Sequence, residues 1–141
     1  MTMNEKLSKR NKGFTIIELM IVLVILAILL AIAYPSYVQY VRKANRGDAQ
    51  QLLLNWAVNQ EIWRSNHTEY ADENDIAVPT NDKYTFAVVA DATTYLLSAT
   101  AQGDQAKDKA RNGESCTNLY LNQAGVKYND ATDTTKSACW E

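Results

Sequence analysis

Glu18 has the most demanding surroundings in the chain. From Phe14 to Ala33 run twenty residues whose only polar side chains are Thr15 and Glu18. As a helix that run measures about 30 Å, the thickness of a bilayer's hydrocarbon core. A carboxylate inside a membrane helix costs about 2.5 to 3.5 kcal/mol on insertion scales, so it usually has a partner or a function. Chain cleavage between Gly13 and Phe14 would supply a partner, because the new amino terminus is a cation in the same apolar layer. Within one chain or between neighbours, each charge lowers the cost of burying the other, although pairing seldom recovers all of the desolvation. Between staggered neighbours the same contact would set the register.

The other residues capable of chemistry are few. Cys116 and Cys139 lie in the polar C-terminal third, and neither has the close Cys or His partners of a zinc site; the single histidine, His67, is remote from both. A disulfide is the economical reading, against the alternative of two unrelated buried thiols. Such a bridge contributes about 3 kcal/mol in the chain-entropy model and places the C-terminal part in an oxidising space such as a periplasm or the exterior. There is no nucleophile and base at a recognisable spacing, no phosphate-cradling glycine loop and no metal cluster, so the sequence points to no enzyme, no cofactor and no metal.

Those residues have to be positioned by one membrane segment and one small domain, which is all that 141 residues allow. The net charge is -2; residues 1–13 carry four Lys or Arg against Glu5, so their removal would leave -5. An acidic mature chain argues against general polyanion binding. The first 35 residues fit a cleaved secretory signal with a small-x-small site at Ala31, Ile32 and Ala33, or a plain signal anchor. Neither reading accounts for Glu18. The positive-inside count, four cations before the span against Arg42, Lys43 and Arg46 after it, barely favours a cytoplasmic N-terminus.

Pro35 is expected to break or bend the helix. Beyond it, Ala49, Leu52, Leu53, Trp56 and Trp63 form a stripe at helical intervals, so we expect one interrupted helix from about Phe14 to Asn66. Its first half is apolar all round, and its second half buries one face. Tyr34, Tyr37 and Tyr40 suit an interfacial aromatic belt or contacts with neighbouring subunits, and Gly47 is a second weak point. Trp56 and Trp63 are assigned to core packing rather than to a ligand box.

Residues 67–82 are polar and contain Pro79, as a surface connection does; the glycosylation triplet Asn66, His67, Thr68 is of a kind common by chance. Strand patterns follow. "YTFAVVA" from Tyr84 places Tyr84, Phe86 and Val88 on one face, and "TYLLSATA" from Thr94 places Tyr95, Leu97 and Ala99 together, with a turn at Asp91 and Ala92. Residues 103–115 suit a solvated loop of mixed charge, and "TNLYLN" from Thr117 and "VKY" from Val126 flank a turn at Gln123, Ala124 and Gly125. A Cys116–Cys139 bridge would pin the polar tail to this sheet. The fold class expected is α+β: a long helix on a small antiparallel sheet of about four strands.

The basic leader followed by Gly13, Phe14, Thr15, Ile16, Ile17 and Glu18 resembles the class III leader of type IV pilins. The resemblance implies cleavage by prepilin peptidase after Gly13, N-methylation of Phe14, and Glu18 as the assembly carboxylate; Ile17 stands where leucine is more usual. It implies a leader at 1–13, a membrane or filament-core half-helix at 14–35, an amphipathic half-helix at 36–66 and a sheet domain at 67–141. "TYLLSATA", the cysteine before "LYLNQAG" and the final "CW" resemble minor pilins of the PilE and ComP kind. The implied protein is an inner-membrane precursor with a cytoplasmic N-terminus, then a pilus subunit. Its implied partners are major and minor pilins, the peptidase and the assembly machinery, and its implied roles are in twitching, adhesion or DNA uptake. Three alternatives accompany this. One is a competence pilin binding DNA through Lys107, Lys109, Arg111, Lys127 and Lys136. The others are a type II secretion pseudopilin and a periplasmic binding domain starting at Tyr34.

Overall fold

The structure, a computed structural model, describes residues 13–131 and 137–140. Its elements are α1 (Ile16–Arg64), β1 (Tyr84–Ala90), β2 (Tyr95–Ala101), a 3-10 turn at Gly103–Lys107, β3 (Asn118–Asn122), β4 (Lys127–Tyr128) and a 3-10 turn at Ala138–Trp140. The chain divides into two units, Met1–Tyr37 and Val38–Glu141.

In the first unit every residue from Gly13 to Tyr37 is exposed. Thr15 caps the helix, its Oγ1 accepting from the Glu18 N–H at 3.3 Å, so Thr15 and Glu18 occupy the first and last places of a capping-box spacing. Pro35 does not end the helix: α1 continues through it to Arg64. The single helix expected over about 14–66 therefore runs through Pro35, without the interruption expected there and with the loss of the one amide that proline cannot donate.

In the second unit the helix buries Arg46, Ala49, Leu53, Trp56 and Gln60, at alternating spacings of three and four that mark a single face. Those side chains cover a four-stranded antiparallel sheet in the order β1-β2-β3-β4. Period-two alternation sends Tyr95, Leu97, Ala99 and Ala101 of β2, and Leu119 and Leu121 of β3, into the core. Tyr84, Phe86 and Val88 of β1 also belong to that core, as the pattern predicted.

Each turn has a local cause. Asp91 closes the β1–β2 connection, its carboxylate accepting from the Thr93 and Thr94 N–H groups at 2.7 and 2.8 Å. Asn122 does the same between β3 and β4 for Ala124 and Val126, and Gly125 supplies the positive φ of 73° that the turn requires. Trp63 departs from expectation: it is half-buried outside the main core and stacks on His67 with ring centroids 3.7 Å apart. It lies in the helix's last turn, where the local partner four residues on is nearer than the sheet.

Candidate functional site

The expected solvated loop at 103–115 is mostly exposed, but Gln105 and Asp108 are buried and anchor it to the helix of its own unit. Gln105 is buried, takes a hydrogen bond from Asn45 Nδ2 at 3.0 Å, and donates to the Arg42 carbonyl at 2.9 Å and to the Tyr84 hydroxyl at 3.0 Å. Asp104 pairs with Arg42 at 2.7 Å and with Lys107 at 3.1 Å. Asp108 and Arg46 form a buried pair at 2.6 Å, their side chains only 3% and 5% exposed. Removing one member of a buried pair strands a charge, so this contact makes the loop's attachment specific.

The loop then turns outward and returns. Ala110 N–H donates to the Glu114 carbonyl at 2.8 Å, Gly113 turns with φ 88°, and Lys109 bridges Ser115. Cys116 N–H donates to the Asp108 carbonyl at 3.0 Å, and the Cys116–Cys139 disulfide joins Cα atoms 5.5 Å apart. Around the bridge, Ser137 Oγ donates to Glu114 Oε1 at 2.8 Å, Gln50 Nε2 to the Cys139 carbonyl at 2.7 Å, and Asn129 Nδ2 to the Ser115 carbonyl at 2.8 Å. Trp140 donates its indole N–H to the Tyr128 carbonyl at 3.2 Å and carries Lys127 Nζ 5.6 Å from its ring centre. These contacts tie the 109–115 turn, the end of β4 and the residues around Cys139 to one another.

The electrostatics of this face follow from what its acids already hold. Asp104, Asp108 and Glu114 are committed to Arg42 and Lys107, to Arg46, and to Ser137 with the Ala138 N–H. The Ser137 hydroxyl, with Asn112 and the Ala138 amide, holds the Glu114 carboxyl below the usual range. The Arg42 guanidinium does the same for Asp104, helped by Lys107. Lys109 and Arg111 are exposed, and neither they nor Lys127 form an ion pair among the described residues. Of the five predicted cations, Lys109, Arg111 and Lys127 thus form no ion pair among the described residues, Lys107 is drawn to Asp104, and Lys136 lies outside the described residues.

Sequence reasoning missed Gln105 and the Arg46–Asp108 pair. The one available signal was that Arg46 falls on the buried stripe three residues before Ala49.

At the other end of the chain, Gly13 and Phe14 precede the helix, Phe14 is exposed, and Glu18 stands in the first turn, where a carboxylate complements the helix dipole. Residues 1–12 of the expected leader lie outside the described residues.

The profile of the family described as type IV minor pilin ComP, DNA uptake sequence receptor, matches residues 35–120, more than half of the chain. The chain belongs to that family. The prokaryotic N-terminal methylation motif matches residues 8–34, the segment that holds Gly13, Phe14 and Glu18. Fimbrial protein EcpC of Eikenella corrodens is 34% identical over 122 residues, covering 76% of this chain and 77% of that protein. The structure of a type IV pilin from Shewanella oneidensis is similar at a TM-score of 0.50 and 24% identity, covering 68% of this chain and 99% of that one. That likeness shows the pilin fold. As a ComP-family minor pilin the chain is a type IV pilus subunit, from a structural family not known for enzymatic activity.

Proposed function

We propose that this minor pilin is cut after Gly13, methylated at Phe14, drawn from the inner membrane into the pilus, and there captures DNA on its disulfide-braced face. The pairing of its charges carries this reading: Asp104, Asp108 and Glu114 each have a partner within the unit, whereas Lys109, Arg111 and Lys127 form no ion pair among the described residues. Local cation excess, and not net charge, decides attraction to phosphate at close range, because charges beyond about 8 Å are screened at physiological salt. An acidic chain can therefore bind DNA at one face. The family's description as a DNA uptake sequence receptor supports the same reading.

At the other end, Glu18 meets the methylated amine of a neighbouring subunit in a packed apolar shaft, and apolar burial supplies the driving energy. Head-to-tail contacts that do not close generate the filament. Other pilins, the peptidase and the inner-membrane assembly machinery are the partners this requires, with the N-terminus cytoplasmic and the sheet unit periplasmic before assembly. No catalytic step is assigned to the chain.

The test for DNA is binding of duplex DNA to the full-length chain in detergent as salt is raised. Replacing Lys109, Arg111 and Lys127 by alanine should weaken binding and lower the salt slope by about one for each phosphate that is no longer neutralised. Unchanged affinity and slope in the triple variant would exclude this face.

A further inference from the structure

The sheet has two outer strands, and they are unequally protected. β4 is only Lys127–Tyr128, and Lys127 and the Trp140 indole over Tyr128 blunt it. β1 has seven residues, "YTFAVVA", with no charge, proline or bulge. Those are the devices that normally keep an outer strand from pairing.

The ladder fixes which of its backbone groups face away from β2. Asp91 N–H donates to the Thr94 carbonyl at 2.9 Å, and Gln102 N–H to the Lys83 carbonyl at 2.9 Å. In the register that pairs Thr85 with Thr100, Ala87 with Ser98 and Val89 with Leu96, the odd-numbered residues therefore bond to β2. The N–H and C=O groups of Tyr84, Phe86, Val88 and Ala90 point outward, and no hydrogen bond to them from outside the sheet is formed among the described residues. The side chains of Thr85, Ala87 and Val89 are exposed, Val89 by 72%.

We propose that β1 pairs antiparallel with β1 of a second copy of this chain about a two-fold axis at Ala87. That register matches every position to a suitable partner. Tyr84 faces Ala90 and Phe86 faces Val88 as hydrogen-bonded pairs, which use the outward-facing groups. Ala87 faces Ala87 and Thr85 faces Val89 in the close, non-hydrogen-bonded positions. Just beyond the strand, Lys83 of each copy stands opposite Asp91 of the other, so both ends carry opposite charges. The turn amides of Thr93 and Thr94 hold the Asp91 carboxyl down at about 2, so that charge is permanent. A register shifted by two residues would lose the Lys83–Asp91 match, and a parallel pairing would place like residues opposite. The contact is isologous and closes at two copies, which distinguishes it from the head-to-tail contacts of a filament.

Cysteine substitution in the full-length chain, made in an oxidising periplasm, tests the register directly. Cα atoms in a non-hydrogen-bonded antiparallel pair are about 4.5 Å apart, within disulfide reach. Ala87→Cys should give a covalent dimer by itself. Thr85→Cys and Val89→Cys should each stay largely monomeric alone and cross-link when produced together. Adding Ala87→Lys to that pair sets two ammonium groups face to face and should cut the heterologous cross-link about fivefold. Peptide mapping that finds Cys116–Cys139 intact confirms that each variant has folded. Equal cross-linking at all three positions, cross-linking of position 87 to another protein only, or none in folded chains would overturn the proposal.

Discussion

The two stretches of α1 on either side of Tyr37 obey opposite rules. From Ile16 to Tyr37 the helix is almost wholly apolar and exposed on all sides, with Ile16 at 80% and Ile32 at 70%. From Val38 to Arg64 it hides one face, with Ala49 and Leu53 at 0%, and exposes a face of mixed character on which Val58 and Ile62 stand beside polar residues. The same secondary structure thus has two kinds of stability. The second stretch finds its apolar partners in its own sheet, and the first finds them only in lipid or in other subunits. Mutations in the second should unfold the domain, and mutations in the first should leave it folded and prevent assembly.

The largest expected effect on stability is at the buried ion pair. Arg46→Met strands Asp108 in a 3%-exposed site and should cost about 3 to 5 kcal/mol in denaturant unfolding, with partial recovery on adding Asp108→Leu. Next, Leu53→Ala opens a cavity at a fully buried position and should cost about 2 to 5 kcal/mol, while Leu23→Ala, on the exposed stretch, should cost the domain nothing measurable. A Leu23 variant that unfolds the domain as readily would erase the contrast. Replacing Cys116 and Cys139 together by serine removes a bridge across 23 residues and should cost about 3 kcal/mol. It should also lower DNA affinity, because the 109–115 turn and the residues around Cys139 would no longer be tied together.

The smallest effect concerns pH. The folded state lowers the carboxyl pKa of Glu114, through Ser137 first, and of Asp104, through Arg42 first. Groups shifted down contribute stability that is present above their unfolded values, 4.5 for Glu114 and 3.8 for Asp104, and lost as pH falls through the lower folded values. Thermal unfolding followed below pH 4.5 should show a drop that Glu114→Gln reduces. An undiminished drop in that variant would mean other carboxylates set the acid limit.

The parts of this fold visible in the sequence are those written in local patterns. The expected strands fall within about a residue of β1, β2, β3 and β4, because period-two alternation and the turn residues Asp91, Asn122 and Gly125 act over a few positions. The bridge was visible because only two cysteines were there to pair. Most of residues 103–115 are exposed as expected, but the burial of Gln105 and Asp108 was not legible, because Arg46, the partner of Asp108, lies 62 positions away. Charge in a loop carries no mark of the distant cation that will bury it. The passage of the helix through Pro35 was legible from the helix formers beyond it, whereas the absence of an interruption at the proline was not. Of the candidate sites, Glu18 stood out as a lone acid among apolar residues, but its place in the capping turn below Thr15 emerged only from the geometry.

Completion of the exposed apolar helix stretch by other subunits through Glu18 is tested most directly by measuring incorporation of a Glu18→Gln chain into pili, made at wild-type level and with Phe14 as its mature N-terminus. This chain is expected to fold and reside in the membrane but to be absent from sheared filaments. Incorporation equal to wild type would contradict that role of Glu18.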